Sequence, residues 1–114
     1  MSHLIIHERG NVTVATINGP EITEEITAQL TARLQQAPAD RPPLVVLDMQ
    51  TVTFLGSIGL GMLMVLLKRV RTAGGQVVLT ALADSCRDVI RVCGLDKVFR
   101  VEPDVESAAR ALEA

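Results

Sequence analysis

Tryptophan and tyrosine are absent from the 114 residues, and phenylalanine occurs only twice. With 48% of the chain apolar, the core must be aliphatic, built from Leu, Val, Ile, Ala and Met. No aromatic platform exists on which single-stranded nucleic acid could stack. An excess of basic charge is missing too. The net charge of −2 leaves no footprint for a phosphate backbone, so nucleic acid is not an expected partner. Long apolar runs are also lacking. The longest, Ile58 to Leu67, is too short to span a bilayer and stops at Lys68-Arg69. The N-terminus carries no charged region followed by an apolar stretch and a cleavage site. The expectation is a soluble cytoplasmic protein of one domain, residues 1–114, large enough for a real core. The two cysteines, Cys86 and Cys93, fall on one predicted helix with a rise between them of roughly 10 Å. That is outside disulfide reach, and both are expected to pack as small hydrophobes.

The chemistry of an enzyme is hard to find. Gly56-Ser57-Ile58-Gly59-Leu60-Gly61 invites comparison with a nucleophile elbow, but Leu55 stands where the first glycine belongs. A base is also wanting, because both histidines lie in the first predicted strand. The glycines run G-x-x-G-x-G rather than G-x-G-x-x-G, and no Gly-Lys-Ser/Thr closes a P-loop. His3 and His7 lack a third metal ligand nearby. Asp48 at a strand end reads as a turn residue. The chain is read as a non-enzyme without metal or cofactor.

What is present is alternation. His3 to Arg9 and Val12 to Ile17 flank Gly10-Asn11 and predict an antiparallel hairpin ended by Gly19-Pro20. Ile22, Ile26, Leu30 and Leu34 recur every fourth residue, which predicts a helix over Glu21 to Gln36 with an acidic start. A proline-rich connector, Ala37 to Pro43, stops it. Leu44 to Met49 predicts a buried strand, followed by a glycine-punctuated turn and a helix from Ser57 to about Thr72. Gly74-Gly75 closes that helix, and Gln76 to Ala81 predicts a parallel strand reached through it. Ser85 to Asp88 reads as a capping box opening a helix that Gly94 ends. Val98 to Val101 predicts a last strand, and Pro103-Asp104 starts a terminal helix with Val105, Ala108, Ala109 and Leu112 on one side. The order β-β-α-β-α-β-α-β-α is that of an α/β domain with a mixed sheet.

Ser57 and the helix it opens hold the functional interest. At a helix entrance the first amides lack partners and the dipole favours negative charge. A serine there can serve as a plain N-cap, or accept a phosphate among those amides. At about 100° per residue, Leu60, Leu63, Leu66, Leu67 and Val70 gather toward the sheet. Ile58, Gly61, Met64 and Val65 face outward in the early turns, with Met62 at the margin and Lys68 beyond. A surface helix should be polar there. This is a candidate docking patch, unless another helix or a homodimer contact covers it.

Three stretches resemble one family. Asp48 to Gly61, Thr72 to Leu79 and Val92 to Phe99 are similar to the signature and the two later helix-to-strand turns of STAS domains. These are the sulphate-transporter and anti-sigma-factor-antagonist domains. The resemblance covers essentially the whole chain and implies a STAS-type fold with helices mainly on one face. In the family's signalling members a kinase-type anti-sigma factor phosphorylates the first serine of Asp-Ser-Ser/Thr-Gly-Leu. The unphosphorylated antagonist binds the anti-sigma factor and frees the sigma factor. Ser57 corresponds to that serine, Gly59 and Leu60 are retained, and Gly56 and Ile58 replace the Asp and the second hydroxyl residue. An Asp common after the second strand has only Glu21 as a counterpart. The resemblance implies an anti-sigma-factor antagonist-like regulator. Its partner, a serine-kinase anti-sigma factor, would dock on Gly56, Ser57, Ile58, Gly61, Met62, Met64, Val65 and Lys68. The alternative is a never-phosphorylated STAS scaffold or subunit of a stress-signalling or lipid-transport ATPase complex. Measurable affinity for GTP or ATP is not expected.

Overall fold

The computed structural model describes residues 3–36 and 40–113. Ala37, Pro38 and Ala39 of the predicted connector lie outside the described residues. Strands β1 (Leu4–Arg9) and β2 (Val12–Ile17) form the predicted hairpin. Gly10 turns it at φ +61°, a conformation that side chains disfavour. Then follow α1 (Glu24–Gln35), β3 (Leu44–Asp48), α2 (Ser57–Thr72), β4 (Gln76–Thr80), α3 (Asp84–Val92), a 3-10 turn (Leu95–Lys97), β5 (Arg100–Glu102) and α4 (Val105–Glu113). The sheet runs β1-β2-β3-β4-β5, antiparallel between β1 and β2 and parallel thereafter.

Strand alternation separates two cores. Ala15, Leu47 and Leu79 lie side by side in register and face α1, α2 and α3, with Ile26, Leu30, Leu63 and Ile90 packed over them. Their neighbours Val14, Val46 and Val78 point the other way. There, with Val12, they meet Ala108 and Leu112 of α4. Small Ala108 lets α4 approach the sheet closely. The helices are thus mainly on one face, with the terminal helix alone on the other.

Four sequence expectations shift. The first helix begins at Glu24 rather than Glu21, because Thr23 caps it, its Oγ1 accepting from the Ile26 amide at 3.2 Å. Ile22 is therefore a loop residue, yet still buried under the same stripe. The predicted capping box at Ser85 does not form; Ala83 is the N-cap, and Ser85 Oγ donates instead to the Thr53 carbonyl at 2.9 Å. The last strand starts at Arg100, since the Val98 and Phe99 amides both return to the Leu95 carbonyl and wind the 3-10 turn. Cys86 is buried as expected, and burial pushes its thiol up from the ordinary range. Cys93 is exposed, because α3 ends there and its side chain leaves the packed stripe.

Candidate functional site

The chain between β3 and α2 is fixed from three sides. The Asp48 carboxylate accepts from the Gln50 amide at 3.2 Å, the turn role expected of it. The Thr51 hydroxyl lies 2.8 Å from the Ile17 carbonyl and accepts from the Gly19 amide at 3.0 Å. The Pro20 carbonyl accepts from the amides of both Thr53, at 2.9 Å, and Phe54, at 3.2 Å. Ser85 and the thiol of Cys86 hold the carbonyls of Thr53 and Val52 from the α3 side. Sequence reasoning missed Thr51 and Ser85 because hydroxyls that tie one loop to another carry no periodic signal.

This anchoring delivers Ser57 as the first residue of α2, exposed. It is not the N-cap. Gly56 holds that position in extended geometry, and no side chain caps the helix. The first helical bond runs from the Leu60 amide to the Gly56 carbonyl at 2.9 Å. The amides of Ser57, Ile58 and Gly59 are the free donors of the helix start. A Cβ on Gly56 would lie 2.8 Å from the Phe54 ring, so the glycine leaves that ring its place. Phe54 is 60% exposed and was not foreseen as a site residue, although it is one of only two phenylalanines and stands three positions before the serine.

Ser57, Gly61, Met64 and Lys68 fall in one line along α2, at about 100° per residue, and Ile58 and Val65 flank them on the α1 side. Ile58, Met64 and Val65 are 55%, 45% and 48% exposed, large values for such residues. Gly61 is exposed and a Cβ there would touch nothing within 4 Å. Gly56 is half-buried and Lys68 exposed. Met62 does not join this surface. It is buried in the seam where α1 lies against α2, beside Leu30 and Leu66. The expectation failed because only the neighbouring helix decides the fate of a marginal position.

Two concavities follow the seam. One of about 540 Å³ lies at the start of α2, bounded by Phe54, Ser57, Ile58 and the carboxylates of Glu21, Glu24 and Glu25. The other, about 610 Å³, lies near its end, bounded by Leu34, Val65, Lys68 and Arg69. The apolar strip thus runs from an acidic end to a basic one. None of these charged groups has an ion pair among the described residues. Those residues contain no cluster of metal ligands and no helix long and apolar enough to cross a membrane.

The family model of the STAS domain matches residues 3–108. The chain belongs to the STAS family. The anti-sigma-F factor antagonist RsfB of Mycobacterium tuberculosis is 33% identical over an alignment of 99 residues that covers 84% of this STAS domain and 77% of RsfB. The putative anti-sigma factor antagonist BtrV of Bordetella bronchiseptica is 29% identical over 79% of this chain and 74% of BtrV. The solved anti-sigma-factor antagonist (STAS) domain protein from Planctomyces limnophilus superposes with a TM-score of 0.85. It covers 98% of either chain at 24% identity, a likeness of fold.

Proposed function

We propose that this STAS domain is a cytoplasmic, non-enzymatic anti-sigma-factor antagonist. It binds a serine-kinase anti-sigma factor through Gly56, Ser57, Ile58, Gly61, Met64, Val65 and Lys68. Phosphorylation of Ser57 dissolves the complex. The observation that carries this reading is the apolar strip of α2, left uncovered and beginning at an exposed serine hydroxyl. The names of the relatives RsfB and BtrV point the same way.

The physics of the switch follows from position. A phosphate on Ser57 brings about −1.5 to −2 charges near neutral pH. The free amides of the helix start favour it, so the fold is spared. Glu21, Glu24 and Glu25 line the same concavity without a basic residue to neutralise it. Pressed into an interface, that charge loses its water. A loss of roughly 3 kcal/mol weakens binding more than a hundredfold. Calorimetric titration of candidate kinase-type anti-sigma factors tests the reading. Ser57→Asp is expected to weaken binding at least tenfold while Tm stays within about 2 °C. Undiminished affinity of that variant overturns it. Gly56 and Ile58, both departures from the signalling turn, favour a second reading. In that reading the same strip seats a STAS scaffold in a larger assembly without phosphorylation.

A further inference from the structure

We infer that the α2 strip also fits a second copy of this chain, antiparallel, and that negative charge at Ser57 tightens this self-association. The inference rests on the exposed face and not on the identity of any other partner. The four residues in line, Ser57, Gly61, Met64 and Lys68, are spaced symmetrically about a point between Met62 and Leu63. A two-fold axis lying in the plane of the contact, perpendicular to α2 and level with that point, sets Met64 of one copy over Gly61 of the other. The long thioether there enters the open space over a residue that has no Cβ. The same axis sets Ser57 against Lys68 of the second copy, at both ends of the pair. The acidic concavity at the start of α2, with Glu21, Glu24 and Glu25, then lies toward the basic end of the other copy, where Arg69 stands beside Lys68. Each of these charges lacks an ion pair within its own chain among the described residues. An acidic end, a basic end and a glycine near the centre are what an isologous antiparallel contact requires.

The consequence opposes the effect on the kinase. A carboxylate or phosphate at Ser57 meets the Lys68 ammonium of the other copy and strengthens the pair, while the same charge expels a partner whose surface is apolar there. Modification would thus both release the strip and cover it.

Sedimentation velocity over a concentration series tests this on the purified protein alone. A reversible dimer is expected in the wild type, tightened about three- to tenfold by Ser57→Asp at low salt, with the gain shrinking at high salt. Lys68→Glu alone and Ser57→Lys alone are each expected to weaken the dimer. An equimolar mixture of the two is expected to restore it as a heterodimer, because one end then pairs Lys with Glu. A wild type that stays monomeric at about 1 mM overturns the inference. So does a dimer indifferent to Lys68→Glu, or a mixture that fails to restore association. The titration with the anti-sigma factor is run below the dimer's dissociation constant, where the strip is free in both forms, so the two readings fail separately.

Discussion

Ser57 and Met62 lie five residues apart on one helix and show what a residue's number alone can and cannot fix. Ser57 was readable, because a serine after an apolar run and a glycine marks a helix start whatever lies around it. Its role as first helical residue rather than cap depends on Gly56 taking the extended conformation, which no spacing states. Met62 sits at the margin of the stripe, and α1 decides that it is buried. The cysteines divide in the same way. Cys86 lies inside α3's packed face, with its thiol pushed up by burial and hydrogen-bonded to the Val52 carbonyl, while Cys93 is exposed. An aromatic disulfide reagent is therefore expected to titrate one thiol in the native protein and a second only in denaturant. Two rapidly reacting native thiols would contradict the placement of Cys86.

At the level of elements, the strands and helix stripes were legible throughout, since alternating aliphatics fit a strand and a four-residue apolar repeat fits a helix. The joints were not. Thr51, Pro20 and Ser85 knit the β2–α1, β3–α2 and β4–α3 joints through a few loop-to-loop hydrogen bonds, and such ties leave no pattern in a lone sequence. Two glycines of α2 and its C-terminal joint make opposite predictions. A Cβ on Gly75 would lie 1.9 Å from the Pro43 carbonyl oxygen, a backbone atom that also accepts the Gln76 amide. Gly75→Ala is expected to cost about 3 kcal/mol through overpacking and to lower Tm by roughly 10 °C or more. Gly61→Ala fills open space in a helix interior and is expected to stabilise by about 0.5–1 kcal/mol. Thermal unfolding of the pair checks both signs, and equal effects would show that the local surroundings are wrong.

The whole molecule is a sheet with α1, α2 and α3 on one face and α4 on the other, and α4 is held partly by charge. Glu106 pairs with Arg9 at 2.6 Å and with Arg110, and Arg9 holds its carboxyl below the usual range. The Ser107 amide does the same for Asp104 at the start of α4. Both folded values lie below the unfolded ones, so their stabilisation is present above the ordinary carboxylate range and is lost as pH falls through it. Tm is expected to decline on acidification below about pH 4, less steeply in an Asp104→Asn/Glu106→Gln double variant. A double variant as acid-sensitive as the wild type would show that these two carboxylates do not anchor α4. Such groups stabilise the scaffold, whereas the proposed function belongs to the opposite face.

The most direct measurement of that function takes the purified chain, the kinase-type anti-sigma factor proposed as its partner, and ATP. Intact mass reports modification, and titration compares the two forms. One phosphate is predicted, on Ser57, with an affinity reduced more than a hundredfold and the fold unchanged. Tight binding with no phosphate added, or a phosphorylated form that binds as well as the unmodified one, would contradict it.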